Sequence, residues 1–437
     1  MTFLNRNVTV AVMRRQPRLG LLHDHDYRQL FASTTVSQFG VHVTQLAIPL
    51  VAIVTLGAGP FEVGLLTALE TLPFLLVGLP AGAWVDRMRR RSVLIAGDVG
   101  RAVLLLTIPL AWWQDVLTIW QLYAVGFLVG VLTVFFEVAY QSYLPHLVGR
   151  DNLVEGNAKL ESMRAVAQVG GPALAGQLIR LLTAPVALLV DALAMGASAL
   201  FVARIRKREP KPERRPDANL LREIGEGLRF VLGHRLLRAI AACTGSFNLF
   251  AGAYGAMLII FLQRVVGADA GEIGLVFTIT GSGGLLGAFL ARRFAAWVGQ
   301  GPAIWLSVAV SAPFGLLMPL VAAPGWRLWV AAAGGFVVSV GVVVYNVTQV
   351  SFRQGLTPDH LLGRMNATMR FLVWGTMPLG GLLGGVLGEW LDVRSALLIG
   401  ALGTCVAFLP VFLSPLRSMR TLPTQPDETR PGVPATT

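Results

Sequence analysis

The chain has 437 residues, 54% of them hydrophobic and only 14% charged, with a formal net charge of +12 and a mean hydropathy of +0.64. Soluble domains carry about 25% charged residues, so this sequence has too little polar surface to cover a globule in water. Its positive charge has no meaning as a total; what it means depends on where the basic residues fall.

No secretion signal is expected in the first residues, because Arg6, Arg14, Arg15 and Arg18 interrupt every apolar stretch before Tyr27. From there the chain is a succession of apolar runs. A hydrocarbon core of roughly 30 Å needs about 20 apolar residues per helix. That ruler predicts spans at 29–56, 61–83, 92–112, 117–139, 163–182 and 184–204, then at 238–262, 270–291, 302–323, 327–350, 367–388 and 394–413. The fold class expected is therefore an all-α integral membrane protein of twelve transmembrane helices in two six-helix halves, with both termini cytoplasmic. Its parts are an N-terminal arm (1–28), a first bundle (29–204), a cytoplasmic linker (205–237), a second bundle (238–413) and a disordered tail (414–437). The linker carries Pro210, Pro212 and Pro216 among many charges, and residues 217–232 are expected to form a short surface helix. The tail is proline-rich.

With the N-terminus inside, most of the 36 basic residues fall in the inner segments, and the outer side keeps only Arg180, Arg264, Arg327 and Arg394. The net charge thus reads as basic loops facing an anionic leaflet, which removes the need for a nucleic-acid partner. Cys243 and Cys405 lie inside apolar runs as free thiols, and the histidines show no metal-ligand spacing, so neither a metal nor a cofactor is expected.

The halves echo each other. Gln141, Asp151, Leu153 and Asn157 stand in the second half as Gln349, Asp359, Leu361 and Asn366. Pro172 with Gly176 returns loosely as Pro378 with Gly381, Glu62-Val-Gly-Leu returns as Glu272-Ile-Gly-Leu, and Gly82 corresponds to Gly287. Duplication of a membrane bundle is a transporter architecture, with the solute site at the interface of the repeats near the midplane.

The loop after the second span reads Gly82-Ala-Trp-Val-Asp86-Arg87-Met-Arg89-Arg90-Arg91. Gly82 is expected to permit close helix approach, Asp86 to cap or face a neighbouring helix N-terminus, and the arginines to stay at the interface. The loop resembles the signature of the major facilitator superfamily, with Arg89 where that pattern usually has glycine. The resemblance implies a conformational latch made by Gly82, Asp86, Arg87 and Arg91, with Glu137 as acidic partner. On the fifth span, Gly170-Gly171-Pro172-Ala-Leu-Ala175-Gly176 is similar to the antiporter motif of facilitator exporters, with Gly171, Pro172 and Gly176 in place and Ala175 replacing a glycine. A generic packing kink is the competing reading. Ala68-Leu-Glu70-Thr-Leu-Pro73-Phe74, Asp98-Val-Gly-Arg101-Ala102 and Ala139-Tyr140-Gln141-Ser142-Tyr143-Leu144-Pro145 widen the resemblance to drug:proton antiporters of the macrolide-efflux and siderophore-exporter type, strongest from about residue 27 to 205.

Ionisable side chains inside spans are expensive and rarely idle. Glu70 has no basic residue in its own span, and a carboxyl in hydrocarbon favours the protonated form that proton coupling uses. A structural hydrogen bond to another helix is the alternative. Asp98 and Arg101, at i and i+3, are placed to pair on one face, either as a structural ion pair or as part of a proton site. Asp191 is a further proton-site candidate. Gln38, His42 and Gln45 continue a polar stripe from Thr34 that must face the bundle or a wet cavity. Asn248, Tyr345, Asn346 and Gln349 are expected to line the same cavity from the second half.

These features point to proton-driven efflux of an amphiphilic small molecule (drug, macrolide-like or siderophore-like) by alternating access. The expected partners are the substrate, protons and the lipid bilayer, and the expected form is a monomer in a bacterial plasma membrane. A proton-coupled importer, or an exporter of an endogenous metabolite, uses most of the same features. A membrane enzyme would need a clustered catalytic set, and none is visible. Direct use of ATP is disfavoured, because none of the three lysines follows a glycine in a phosphate-binding loop.

Overall fold

In the computed structural model, the described residues are 20–85, 87–149, 152–207, 209, 220–358 and 361–420. Their regular structure is helical. The first bundle contains α1 (His25–Thr55), α2 (Pro60–Leu76), α3 (Gly78–Val85), α4 (Arg90–Trp113), α5 (Ile119–Val148), α6 (Leu153–Leu182) and α7 (Ala184–Ala203). A connecting helix, α8 (Leu220–Gly233), leads to the second bundle. That bundle contains α9 (Arg235–Val266), α10 (Ala270–Val298), α11 (Gln300–Leu320), α12 (Trp326–Leu356), α13 (Leu362–Trp390) and α14 (Val393–Phe412).

Among the described residues, ten of these helices are long and apolar enough to cross a membrane. The α2–α3 pair is interrupted at Val77, and α6 carries Glu155, Lys159, Glu161 and Arg164 in its first turns. The outer surface suits such a setting. Trp113, Trp120, Trp326 and Trp390 stand more than two-thirds exposed at one end of the bundle, and Trp297 stands exposed at the other. Indole rings at two levels match the two water–hydrocarbon interfaces.

Helix starts follow local chemistry. Asp24 accepts a hydrogen bond from the Tyr27 amide (2.8 Å) at the head of α1, and Asp392 accepts one from the Ser395 amide (2.9 Å) at the head of α14. The repeated glutamates begin equivalent helices: Glu62 accepts from the Gly59 amide (2.7 Å) and Glu272 from the Asp269 amide (3.0 Å). Several helices run past the predicted spans at the end that carries the connecting helix, called here the linker end. Examples are α5 to Val148, α6 from Leu153 and α12 to Leu356. A helix satisfies its own backbone beyond the apolar stretch, so the apolar ruler measures hydrocarbon thickness and not helix length.

The expected surface helix is present as α8, while residues 217–219 lie outside the described residues. It docks on α9 and α13, where Glu226 accepts a hydrogen bond from Arg364 (2.5 Å). The tail differs from expectation at its start. Residues 415–420 are ordered, because the Gly301 and Gln300 amides at the head of α11 donate to the Met419 (2.9 Å) and Arg420 (3.2 Å) carbonyls. Those donors open a helix and lack intrahelical acceptors, so the tail satisfies them.

Each bundle has its own packing, with α1 and α4 on α7 in the first and α10 on α12 and α13 on α9 in the second. The bundles meet chiefly along two seams, α2 on α13 and α6 on α10. Both seams are built on glycine. A Cβ placed on Gly64 would fall 2.5 Å from the Gly385 Cα and 2.6 Å from the Gly381 carbonyl oxygen. A Cβ placed on Gly274 would fall 2.9 Å from the Gly176 Cα and 2.4 Å from the Pro172 carbonyl oxygen. Only a residue without a side chain lets these backbones touch. The contacts also sharpen the internal repeat. Gly64 and Gly274 are equivalent as the sequence indicates, but by contact Gly176 corresponds to Gly385 and Pro172 to Gly381. The seams lie toward the far end of the bundle, away from the linker.

Candidate functional site

A cavity of about 370 Å³ lies between the bundles, on the linker side of the seams. Its walls are Thr34, Ser37, Gln38 and Val41 of α1, Arg101 of α4, Thr133, Phe136, Glu137, Tyr140 and Gln141 of α5, and Arg164 of α6. The second bundle contributes Arg370 and Trp374 of α13. These residues stand seven to sixteen positions in from the linker ends of their helices, roughly 10–25 Å along the axes. The size is within the range of small-molecule sites, and the lining alternates aromatic and polar groups.

Of the residues named from sequence, Gln38, Arg101 and Glu137 are brought together here. Glu137 is exposed into the cavity, facing the guanidinium groups of Arg164, Arg370 and Arg101. Asp86 lies outside the described residues, so Glu137 is placed by its cavity neighbours and not by the loop. Arg87 is exposed, and Arg91 donates to the Val202 (3.3 Å) and Ala203 (2.6 Å) carbonyls at the C-terminal end of α7. An arginine there satisfies carbonyls that have run out of helix and meets the negative end of the helix dipole. A Cβ added to Gly82 would meet nothing within 4 Å among the described residues.

The Asp98–Arg101 pair forms and is deeply buried, at 0% and 3% exposure. Asp98 also accepts from the Ser198 hydroxyl (2.6 Å), and Ser198 and Ser33 share a hydrogen bond (2.8 Å), so the network joins α4, α7 and α1. The Arg101 guanidinium lies 4.4 Å from the centre of the Phe136 ring, on the cavity wall. Asp191, 1% exposed, accepts from the Thr44 hydroxyl through Oδ2, while its Oδ1 has no partner among the described residues. It fits only because Gly40 faces it: a Cβ there would fall 2.2 Å from Oδ1.

Glu70 is half-buried between α2 and α5, with no hydrogen bond or ion pair among the described residues. Gly126 faces its side chain, where a Cβ would fall 3.1 Å from the Glu70 Cγ. His42 and Gly171 meet, since the ring occupies the space a Gly171 Cβ would need, 2.3 Å from His42 Cδ2. Pro172 and Gly176 belong to the seam with α10.

The remaining lining candidates are not in the walls of this cavity. Gln45 and Asn346 are exposed elsewhere, and Gln349 is buried with Oε1 unpartnered among the described residues. Tyr345 is bonded to the Thr244 hydroxyl (2.5 Å), and Asn248 donates to the Val373 carbonyl (3.1 Å). The sequence reading missed Arg164, Arg370 and Trp374. Both arginines sit close to predicted span boundaries and read as orientation charges. The available signal was Arg370 and Trp374 at i and i+4 on one helix face.

Two helical bundles, each an echo of the other, closed together at one end and parted around a cavity at the other, define a membrane transporter of the major facilitator type. The chain belongs to the transmembrane secretion effector family of that superfamily, whose model matches residues 18–435. It is 28% identical over 412 residues to the multidrug efflux pump Tap of Mycolicibacterium fortuitum, covering 87% of this chain and 94% of that one. It is 22% identical to macrolide efflux protein A of Streptococcus pyogenes, covering 80% and 86%. Among solved structures, a bacterial homologue of the iron transporter ferroportin in its inward-facing state superposes with a TM-score of 0.73 at 14% identity, covering 90% of this chain and 98% of that one.

Proposed function

We propose that the protein is a proton-driven exporter of an amphiphilic small molecule, working by alternating access as a monomer in a bacterial plasma membrane. In this reading all twelve spans cross the bilayer, with α2–α3 and α6 added to the ten strongly apolar helices, and the linker end faces the cytoplasm. The observation that carries it is the arrangement of the bundles: glycine seams closed at the far end, and a mixed polar and aromatic cavity parted at the linker end. Efflux is favoured by the relatives, which are pumps for several drugs and for macrolides, and by the placement of Pro172 and Gly176 in the seam that must open to release cargo.

Glu70 is the proposed coupling acid. It has no paired cation among the described residues, unlike Asp98, and it lies on α2 six residues from Gly64, roughly 9 Å along the helix. A proton gained there changes the cost of keeping α2 packed, and a ligand or proton shifts a two-state equilibrium only through such a difference between states. Asp191, with one oxygen unpartnered among the described residues, is the second candidate.

The test is transport in proteoliposomes driven by a pH gradient, comparing wild type with Glu70→Gln on fluorescent amphiphiles and macrolides. Substrate is expected to move against the proton flux, with gradient-driven accumulation lost in Glu70→Gln while exchange without a gradient persists. Full accumulation in Glu70→Gln would move coupling to Asp191, and movement with the protons would replace export by import.

A further inference from the structure

The charges around the cavity are unequal. Three guanidinium groups, Arg101, Arg164 and Arg370, line it against one carboxylate, Glu137. Arg101 is neutralised from behind by Asp98. Arg164 is paired with Glu161 (3.1 Å), but Glu161 is 65% exposed and its charge is screened by water. Arg370 has no hydrogen-bonded acceptor among the described residues, and its guanidinium rests 5.9 Å from the Trp374 ring. Glu137 also has no hydrogen-bond partner among the described residues, so no cation is committed to it by direct contact. Arg370 stands at a boundary as well. It lines a second cavity of about 270 Å³, whose other walls are mainly apolar: Phe74, Gly78, Ala367 and Phe371, with Gly363 and Asn366.

We infer that the cargo is an amphiphilic organic anion, its carboxylate, sulfonate or phosphate held between Arg370 and Arg164 and its apolar body laid against Phe136, Tyr140 and Trp374. This rests on the transport reading above and narrows its substrate class. Guanidinium groups suit the role because their planar donors bind two-oxygen anions bidentately and hold their charge at every relevant pH. A cationic amphiphile entering the same space meets Arg370, which has no acceptor among the described residues, and Arg164 with its solvent-screened pair, against a single carboxylate. Arg370 and Trp374 are the cavity's contribution from the second bundle, so an anion bound to Arg370 and Arg164 ties the two bundles together across the gap. Glu137 then acts as an internal competitor that lowers affinity for the anion and sets the selectivity of the site.

Equilibrium binding to the purified full-length protein in a non-ionic detergent tests this without any gradient. The probes are a matched pair, 2-naphthalenesulfonate and trimethyl(2-naphthyl)ammonium, titrated calorimetrically. The sulfonate is expected to bind about tenfold or more tightly than the ammonium ion, with Arg370→Gln weakening it about tenfold and Arg370→Lys recovering part of the loss. Glu137→Gln is expected to tighten sulfonate binding about threefold or more, since it removes a like charge from the site. Tighter binding of the ammonium ion, absence of sulfonate binding, or indifference of the sulfonate to both Arg370→Gln and Glu137→Gln would overturn the inference. Gradient-driven export of a cationic drug without sulfonate binding would overturn it alone and leave proton-driven efflux standing. Sulfonate binding without proton-coupled transport would do the reverse.

Discussion

Replacing Gly274 with valine is expected to stop transport while leaving the protein folded. The seam between α6 and α10 has no space for a side chain: a Cβ at Gly274 meets the α6 backbone at two points, the Pro172 carbonyl oxygen and the Gly176 Cα. Backbone has no rotamer to change, so the helices must separate. Overpacking of this kind costs about 1–3 kcal/mol, which is roughly a 5- to 150-fold shift against the state in which the far end is closed. The parted state carries none of that cost, so the variant is driven toward it. The check is the transport rate together with labelling of an Ala68→Cys reporter by an impermeant maleimide, after Cys243 and Cys405 have been replaced. Ala68 is buried in the opposite seam beside Gly381. Its labelling from the far side is expected to rise as transport falls. Unchanged labelling with normal transport would mean that the seam does not open and close at all. Gly64→Val is expected to act in the same way from the α2–α13 side.

Asp98→Ala is expected to be the most destabilising single change in the first bundle. It leaves Arg101 charged at 3% exposure; among the described residues its remaining neighbours include the Gly97 carbonyl (3.4 Å), the face of Phe136 and, without a hydrogen bond, Glu137 across the cavity. Breaking a buried ion pair from one side costs about 3–5 kcal/mol, because the orphaned charge keeps its full desolvation penalty. Removing both charges in Asp98→Ala/Arg101→Met is expected to recover much of the loss, since the apolar stem of methionine fills the space without a charge. Ser198→Ala should cost less, about 1.5–3 kcal/mol, as it removes one hydrogen bond to a charged carboxylate and leaves the ion pair in place. Thermal unfolding of the purified variants in detergent separates these cases. Equal loss in the single and double variants would show that packing, and not the stranded guanidinium, sets the penalty.

The membrane fold was legible because it follows from composition and length: runs of about 20 apolar residues, with basic residues on one set of loops. The repeat was legible at Glu62 and Glu272, since both open a helix whose second-next residue is a glycine and helix starts leave local signals. It was misaligned near Pro172, because the counterpart of that residue in the contact register is Gly381 and not a second proline, and pairing depends on which backbone is touched. The buried pair Asp98–Arg101 could be read from its spacing on one helix. The cavity could be read only in part, through Gln38, Arg101 and Glu137. Two of its charges, Arg164 and Arg370, stand near span boundaries where an arginine serves equally well as an orientation signal, and only the tertiary gap between bundles turns them inward. Tyr345 and Asn248 differ in another way: polar groups on apolar helices were expected to face a cavity, and in this structure they hydrogen-bond Thr244 and the Val373 carbonyl, outside the walls of the cavity described.

The two seams have the form of a two-fold dimer contact. In an isologous interface, element i of one copy meets element j of the other while j of the first meets i of the second. Here α2 meets α13 and α6 meets α10, where α2 is the counterpart of α10 and α6 of α13. A single bundle of this kind already carries both complementary faces, so two identical halves could have closed the same contacts without any connecting chain. Once fused, the halves were free to diverge wherever symmetry was not needed. Among the described residues the cavity lining is unequal, with eleven wall residues from the first bundle and two from the second. The seams keep the two-fold pattern, and the proposed substrate cavity departs from it.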